Sequence, residues 1–237
     1  MNDNFSELKE RILASARSAQ ACREQYKRAY SSETAEELME VIKYNFHWCV
    51  GNKVLTIPLI EEYRELFTEH GIHCNESVDS GYLLADNATV RASGNATVRA
   101  SDNATVQAWG NATVRAWGNA TVRASDNATV QAWGNATVHA WDNATVQAWD
   151  NATVRAWGNA TVQASDNATV HAWDNATVHA WDNATVQASD NAYITSYDII
   201  ECRLSDKAIH RIRETNTIRV ASDALKFEKI YENRTSE

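Results

Sequence analysis

The chain has 237 residues, a formal net charge of −9 from 22 basic and 31 acidic side chains, and four cysteines. This balance lacks the basic excess that phosphate-backbone binding leaves, so a nucleic-acid partner is not expected. No apolar run reaches membrane-spanning length, and no basic stretch followed by an apolar core opens the chain, so neither a membrane nor a secretory route is expected. Cys22, Cys49, Cys74 and Cys202 are scattered outside the most regular part of the sequence. They do not read as a disulfide framework, which points to a reducing cytoplasm.

Residues 1–77 read as an α-helical unit. Leu8, Ile12, Ala16, Ala19 and Tyr26 mark a first helical candidate over 8–29. Leu38, Ile42, Phe46 and Cys49 mark a second, and Leu59, Ile60, Tyr63, Leu66 and Phe67 a third, all at helical spacing. Thr56 suits the N-cap of the third, Pro58 its first turn and Gly71 its stop. A three-helix unit is the simplest arrangement. His47, Cys49, His70, His73 and Cys74 are residue types that hold zinc, but their spacing matches no zinc motif and no metal is expected.

Thirteen tandem octads then fill residues 86–189, each reading Asp/Gly-Asn-Ala-Thr-Val-(Arg/Gln/His)-Ala-(Ser/Trp). A strict short period signals a stacked, quasi-one-dimensional fold. Small apolar and larger or polar residues alternate, which is the strand period. Ala104, Val106 and Ala108 therefore face inward, and Thr105, Gln107 and Trp109 outward, because the opposite phase buries a column of Arg, Gln and His. The Asp/Gly-Asn pair supplies a corner, and stacked Asn side chains can hydrogen-bond along the axis. Asn-Ala-Thr in every octad matches a glycosylation acceptor, but a sugar every eight residues would block the stack.

The coil size has two solutions. The variable positions repeat best at 24 residues, which favours three octads per coil. Close packing favours a flat coil of two, since six Ala and three Val fill a three-sided lumen poorly. Three octads is the expectation taken forward. The solenoid is expected over 78–197, with Tyr82 and Leu84 already in frame. A degenerate coil and cap are expected over 198–237, with Ile200, Cys202 and Leu204 inward and Leu225 and Phe227 alternating later.

The whole pattern resembles the parallel β-helix superfamily, and in particular octapeptide-repeat proteins of bacteria and phages. The resemblance implies a mainly β fold, a parallel solenoid with a small helical N-terminal cap and a degenerate β cap. It implies no catalytic residue.

Eight of the nine tryptophans stand at the last octad position. With three octads per coil, Trp109, Trp133, Trp157 and Trp181 make one edge, Trp117 and Trp141 a second, and Trp149 and Trp173 a third. The first edge would also carry Asp102, Asp126, Asp150 and Asp174. These eight residues are the expected binding surface, an aromatic row for a protein or glycan partner. The bland readings are self-stacked rings, and aspartates that accept corner N–H groups rather than calcium. The threonine columns are flanked by Arg, Gln or His, which spoils a flat ice-binding face. His139, His171 and His179 never become neighbours at either coil size, so no metal is expected there. Catalytic motifs and cofactor signatures are absent, and the chain reads as a non-enzymatic binding scaffold. The alternative is a spacer or self-assembling element, and behind it stand ice binding and a metal or ligand site in the helical unit.

Overall fold

The computed structural model describes residues 3–221. Six short helices come first: α1 (Asp3–Ser18), α2 (Arg23–Ser31), α3 (Ala35–Tyr44), α4 (Phe46–Gly51), α5 (Ile57–Glu62) and α6 (Arg64–Glu69). The expected apolar stripes are buried, Leu38, Ile42, Phe46 and Cys49 among them, except for Ala19, Tyr26 and Leu66, which are partly buried. Each of the three expected helices is nevertheless broken in two. Gln20, at φ +57°, ends the first. The second breaks at Asn45, whose amide donates to the Val41 carbonyl at 2.8 Å. The third breaks at Tyr63, whose φ of −111° leaves the helical region. Thr56 caps α5 by accepting from the Leu59 N–H at 3.4 Å, with Pro58 in the first turn. Gly71, at φ +73°, follows α6 where a left-handed residue is needed.

The sheet starts before the repeat. Ile72–Cys74 pairs in parallel with Tyr82–Asp86, so the helical unit continues directly into the solenoid. From there strands alternate between two sheets: face A with eleven strands and face B with eight among the described residues. Through the repeat each strand pairs in parallel with the one sixteen residues on, Thr145 with Thr161 on face A and Thr153 with Thr169 on face B. One coil is therefore two octads. The expectation of three is overturned, and the physical reason is the thin lumen. Four Ala and two Val per coil fill the space between two facing sheets and would leave a three-sided interior empty.

The phase is as read from the sequence. Ala104, Val106 and Ala108 are buried, as are their equivalents throughout the octads except the partly buried Ala88 of the first, and Thr, Arg/Gln/His and Trp face outward. Corners turn on a left-handed residue, Asp126 at φ +55° or Gly118 at φ +66°. A Cβ on the Gly118 backbone would lie 3.2 Å from the Asp102 backbone, whereas the aspartates take a φ about ten degrees smaller. Stacked asparagines bond along the axis, with Asn103 Nδ2 3.0 Å from Asn87 Oδ1 and others near 3.4 Å.

Two joints close the ends. At the N-terminal end the Tyr82 ring packs on Phe46, 5.1 Å between centroids. Arg99 Nη1 donates to the His47 carbonyl at 3.1 Å while its guanidinium lies 3.9 Å over the Trp117 ring. At the other end the octad frame persists through Tyr193–Ser196, Glu201–Leu204 and Ile209–Ile212. Ile200 is buried, and Cys202 and Leu204 pack partly buried on the core. Thr217–Val220 then folds back antiparallel on Ile209–Ile212 and covers the last edge of face A. Leu225 and Phe227 lie outside the described residues.

Candidate functional site: two tryptophan columns

A sixteen-residue coil sends successive octads to opposite faces, so the tryptophans form two columns. Face A carries Trp117, Trp133 and Trp149 on consecutive rungs, then Ser165, then Trp181. Face B carries Trp109, then Ser125, then Trp141, Trp157 and Trp173 on consecutive rungs. Within each triplet the indoles stack at the strand spacing. Centroids are 4.8 Å apart for both face A pairs, and 5.3 and 4.9 Å on face B, with planes within 9°.

The expected row of Trp109, Trp133, Trp157 and Trp181 is therefore not one edge. Trp109 and Trp157 belong to face B, and Trp133 and Trp181 to face A. The expected pairs Trp117/Trp141 and Trp149/Trp173 are split in the same way, since residues 24 apart lie one and a half coils apart. Asp102 and Asp150 follow face A strands, and Asp126 and Asp174 follow face B strands. Three of these four aspartates are corner acceptors. Oδ2 of Asp126, Asp150 and Asp174 accepts the N–H of Gly110, Gly134 and Gly158 one coil earlier, at 3.0, 2.9 and 3.0 Å. Such charge-assisted bonds offset the repulsion of stacked carboxylates. Asp86 is raised from the ordinary aspartate value by burial first and then by the nearby carboxylate of Asp102.

The sixth octad position separates the two faces. On face A, Arg115 Nε donates to Gln131 Oε1 at 2.8 Å, Gln131 to Gln147 at 2.8 Å, and Gln147 to Gln163 at 2.9 Å. This ladder is neutral along its glutamines and internally satisfied. On face B the same column reads Arg91, Gln107, Arg123, His139, Arg155, His171, Gln187 and Arg203. His139 and His171 are pushed below the ordinary histidine range, by burial first and then by Arg155, with Arg123 also acting on His139. The His139 ring lies 5.9 Å from Trp141 and 6.0 Å from Trp157. Sequence reasoning missed both columns. The signal was present in the sixth-position residues, but it becomes legible only when they are read at a sixteen-residue interval.

His139 and His171 are separated by Arg155, and His179 is on face A. In the helical unit the five residues considered for zinc are placed apart in chemistry as well. His70 Nδ1 meets the Leu66 carbonyl at 2.8 Å, and His73 Nδ1 meets Glu76 at 2.7 Å. Burial pushes the Cys49 thiol up to about 12 and raises Cys74 as well. His47 is pushed down to about 4 by burial first and then by the charges of Arg115 and Arg99. No three metal-binding side chains gather among the described residues. A mostly apolar cleft of about 210 Å³ opens between α1, α2, α3 and α4, with Ile12, Tyr26, Ile42 and Trp48 in its wall.

Face B holds a second opening of about 260 Å³, walled by Trp109 and Trp141, floored by Ala108, Ala124 and Ser125 and edged by Gln107 and Arg123. No helix among the described residues is long and apolar enough to cross a membrane. The architecture is that of a parallel β-solenoid with a sixteen-residue coil. Comparison with family models, curated proteins and solved structures found no match to this chain.

Proposed function

We propose that the chain is a non-enzymatic scaffold whose two tryptophan-bearing faces bind a protein or carbohydrate partner. The reading is carried by one observation: eight indoles at the solenoid surface, arranged on each face as a stacked triplet and one separate ring. Trp109 and Trp181 are 37% and 41% exposed. Partly exposed aromatic surface on a rigid body binds with little loss of side-chain freedom. The near-identical coils suit a partner that is itself repetitive, because each rung offers the same groups at the same interval.

A second reading, a spacer or self-assembling element, draws support from the C-terminal end, where Tyr197, Ile199 and Ile218 are exposed. Sedimentation across a hundredfold concentration range separates the two. A monomer throughout removes self-assembly. For the binding reading, all eight solenoid tryptophans are replaced by Ser, a residue the repeat already places at that position. Wild type and variant are then compared on arrays of glycans and of purified proteins. Binding that is lost in the variant while its strand circular dichroism is retained supports the reading. Equal binding by both, or binding by neither, overturns it.

A further inference from the structure

Trp141 stacks on Trp157 through one face only, at 5.3 Å. Its other face looks toward the rung of Ser125, where the column has no ring. Trp109 stands one rung beyond, between Ser93 and Ser125. Two rungs put about 9.6 Å between the walls at the usual strand spacing. A flat aromatic ring in contact with both walls uses only about 7–8 Å, given carbon–carbon contacts of about 3.5–4.0 Å. A pyranose chair is thicker, because its C–H bonds project from both faces, and it fills the gap better.

The polar edge of this opening is mixed. The Arg123 side chain is exposed and has no hydrogen bond or ion pair among the described residues. Asp126, next after Ser125, uses Oδ2 on the Gly110 N–H, and Oδ1 remains for a ligand. Sugar hydroxyls both donate and accept, so they suit an arginine on one side and a carboxylate on the other. An anionic ring or a phosphate would face Asp126 and Asp142 in a chain of net charge −9. Face A repeats the arrangement with Trp149, Ser165 and Trp181, where Gln163 takes the place of Arg123 and Asp166 that of Asp126.

We propose that ligand enters the gaps in the tryptophan columns rather than lying along the stacked rings: Ser125, and Ser165 on the other face, each open a slot for one neutral pyranose ring of a glycan. The end rings Trp141 and Trp149, with Trp109 and Trp181 opposite them, then form the walls of these slots, and the other rings of each triplet have their faces largely covered by one another. This inference rests on the binding reading given above, which it narrows to a ligand class and a location.

The test uses the full chain with cellohexaose, maltohexaose, mannohexaose and chitohexaose as neutral probes. Polygalacturonate and a single-stranded oligothymidylate serve as anionic probes. Calorimetry and indole fluorescence are the readouts. Ser125→Trp and Ser165→Trp together complete both columns and close both slots with the residue that neighbouring rungs already carry, so the fold is expected to persist by circular dichroism. Binding of at least one neutral hexasaccharide, weakened at least tenfold in the double variant but within twofold of wild type in Trp173→Ser, which shortens a stacked row without opening a new gap between two rings, supports the slots. Unchanged or tighter binding by the double variant, with loss in Trp173→Ser, overturns the slots while leaving the broader binding reading intact. Binding of only the anionic probes, or of no probe, overturns the neutral-saccharide slot. The broader reading is then decided separately, by the eight-tryptophan variant on the protein arrays.

Discussion

The helical unit fills its interior with large residues at irregular spacing, Phe46, Phe67, Leu38 and Met39 among them, each meeting a different set of neighbours. The solenoid fills its own with Ala and Val repeated in columns, so every buried residue meets copies of itself. Little apolar area is buried per solenoid residue. Order there comes from the parallel backbone ladder and from side-chain ladders of Asn and Gln along the axis. The contrast is between a globule in which any one large residue holds many others and a stack in which each rung holds only its neighbours.

Core truncation breaks this comparison most directly. Phe67→Ala removes a fully buried ring and is expected to destabilise the helical unit by about 3–5 kcal/mol. Val146→Ala removes two methylene equivalents from a column and is expected to cost about 1.6 kcal/mol at about 0.8 kcal/mol per group. Chemical denaturation followed at Trp48 and by strand circular dichroism measures the two units. Equal losses would mean that the coils are as interdependent as the globule.

A pH titration sharpens the comparison at the joint. His47 lies partly buried beside Arg99 and Arg115, and its Nδ1 has no hydrogen-bond partner. Its pKa falls from 6.5 to about 4 on folding, so the unfolded chain binds the proton more tightly. Stability is therefore fully present above pH 6.5 and is lost as pH falls toward 4, by up to about 3 kcal/mol for a shift of this size. In His47→Gln this part of the slope is expected to vanish. His139, His171 and His210 are lowered in the same direction and leave a residual slope in the solenoid. An unchanged slope in the variant would mean that the joint does not keep His47 neutral.

The same contrast explains what the sequence revealed. The inward phase of Ala and Val was legible because the other phase buries Arg and His, a cost large enough to decide the matter. Thr56 and Pro58 were legible as a helix start because their chemistry is local. Coil size was not, since identical octads satisfy two-sided and three-sided coils with the same local geometry. The 24-residue recurrence is a property of the sequence and not of the stack, and it brings like residues to opposite faces. The sparse lumen was the better guide. The tryptophans were legible as the outward aromatic set, but their grouping followed the coil size and fell with it. Ser125 and Ser165 are ordinary variants of the last octad position until their neighbours along the axis are known. The breaks at Gln20, Asn45 and Tyr63 carry no Gly or Pro to announce them. His210 takes an inward position that Val holds elsewhere, paired in register with Ile194, and its Nε2 lies 2.8 Å from Ser196 Oγ. Alternation alone gives no reason to place a histidine there.

The smallest expected effect comes from the largest change in sequence. Deleting residues 150–165 removes one whole coil, Asp150 through Ser165, and joins Trp149 to Asp166. The strands Thr137–Ala140 and Thr169–Ala172 then become neighbours in register, as do Thr145–Ala148 and Thr177–Ala180. Ala and Val again meet Ala and Val in the core, and no arginine is brought against another. Because each rung is stabilised mainly by the next, the loss is one nearest-neighbour term out of many, and the melting temperature is expected to move by only a few degrees. Deleting the six residues of α5, which carry the buried Leu59 and Ile60, is expected to unfold the helical unit outright. Calorimetry on the two deletions reads both effects. A coil deletion as damaging as the helix deletion would show that the sixteen-residue unit is not the repeating element of stability. A further deletion of one octad, Asp150–Trp157, keeps the strand register but moves every later tryptophan to the opposite face. Its melting temperature should match that of the coil deletion within a few degrees, and a much larger loss would mean that the two faces are not interchangeable.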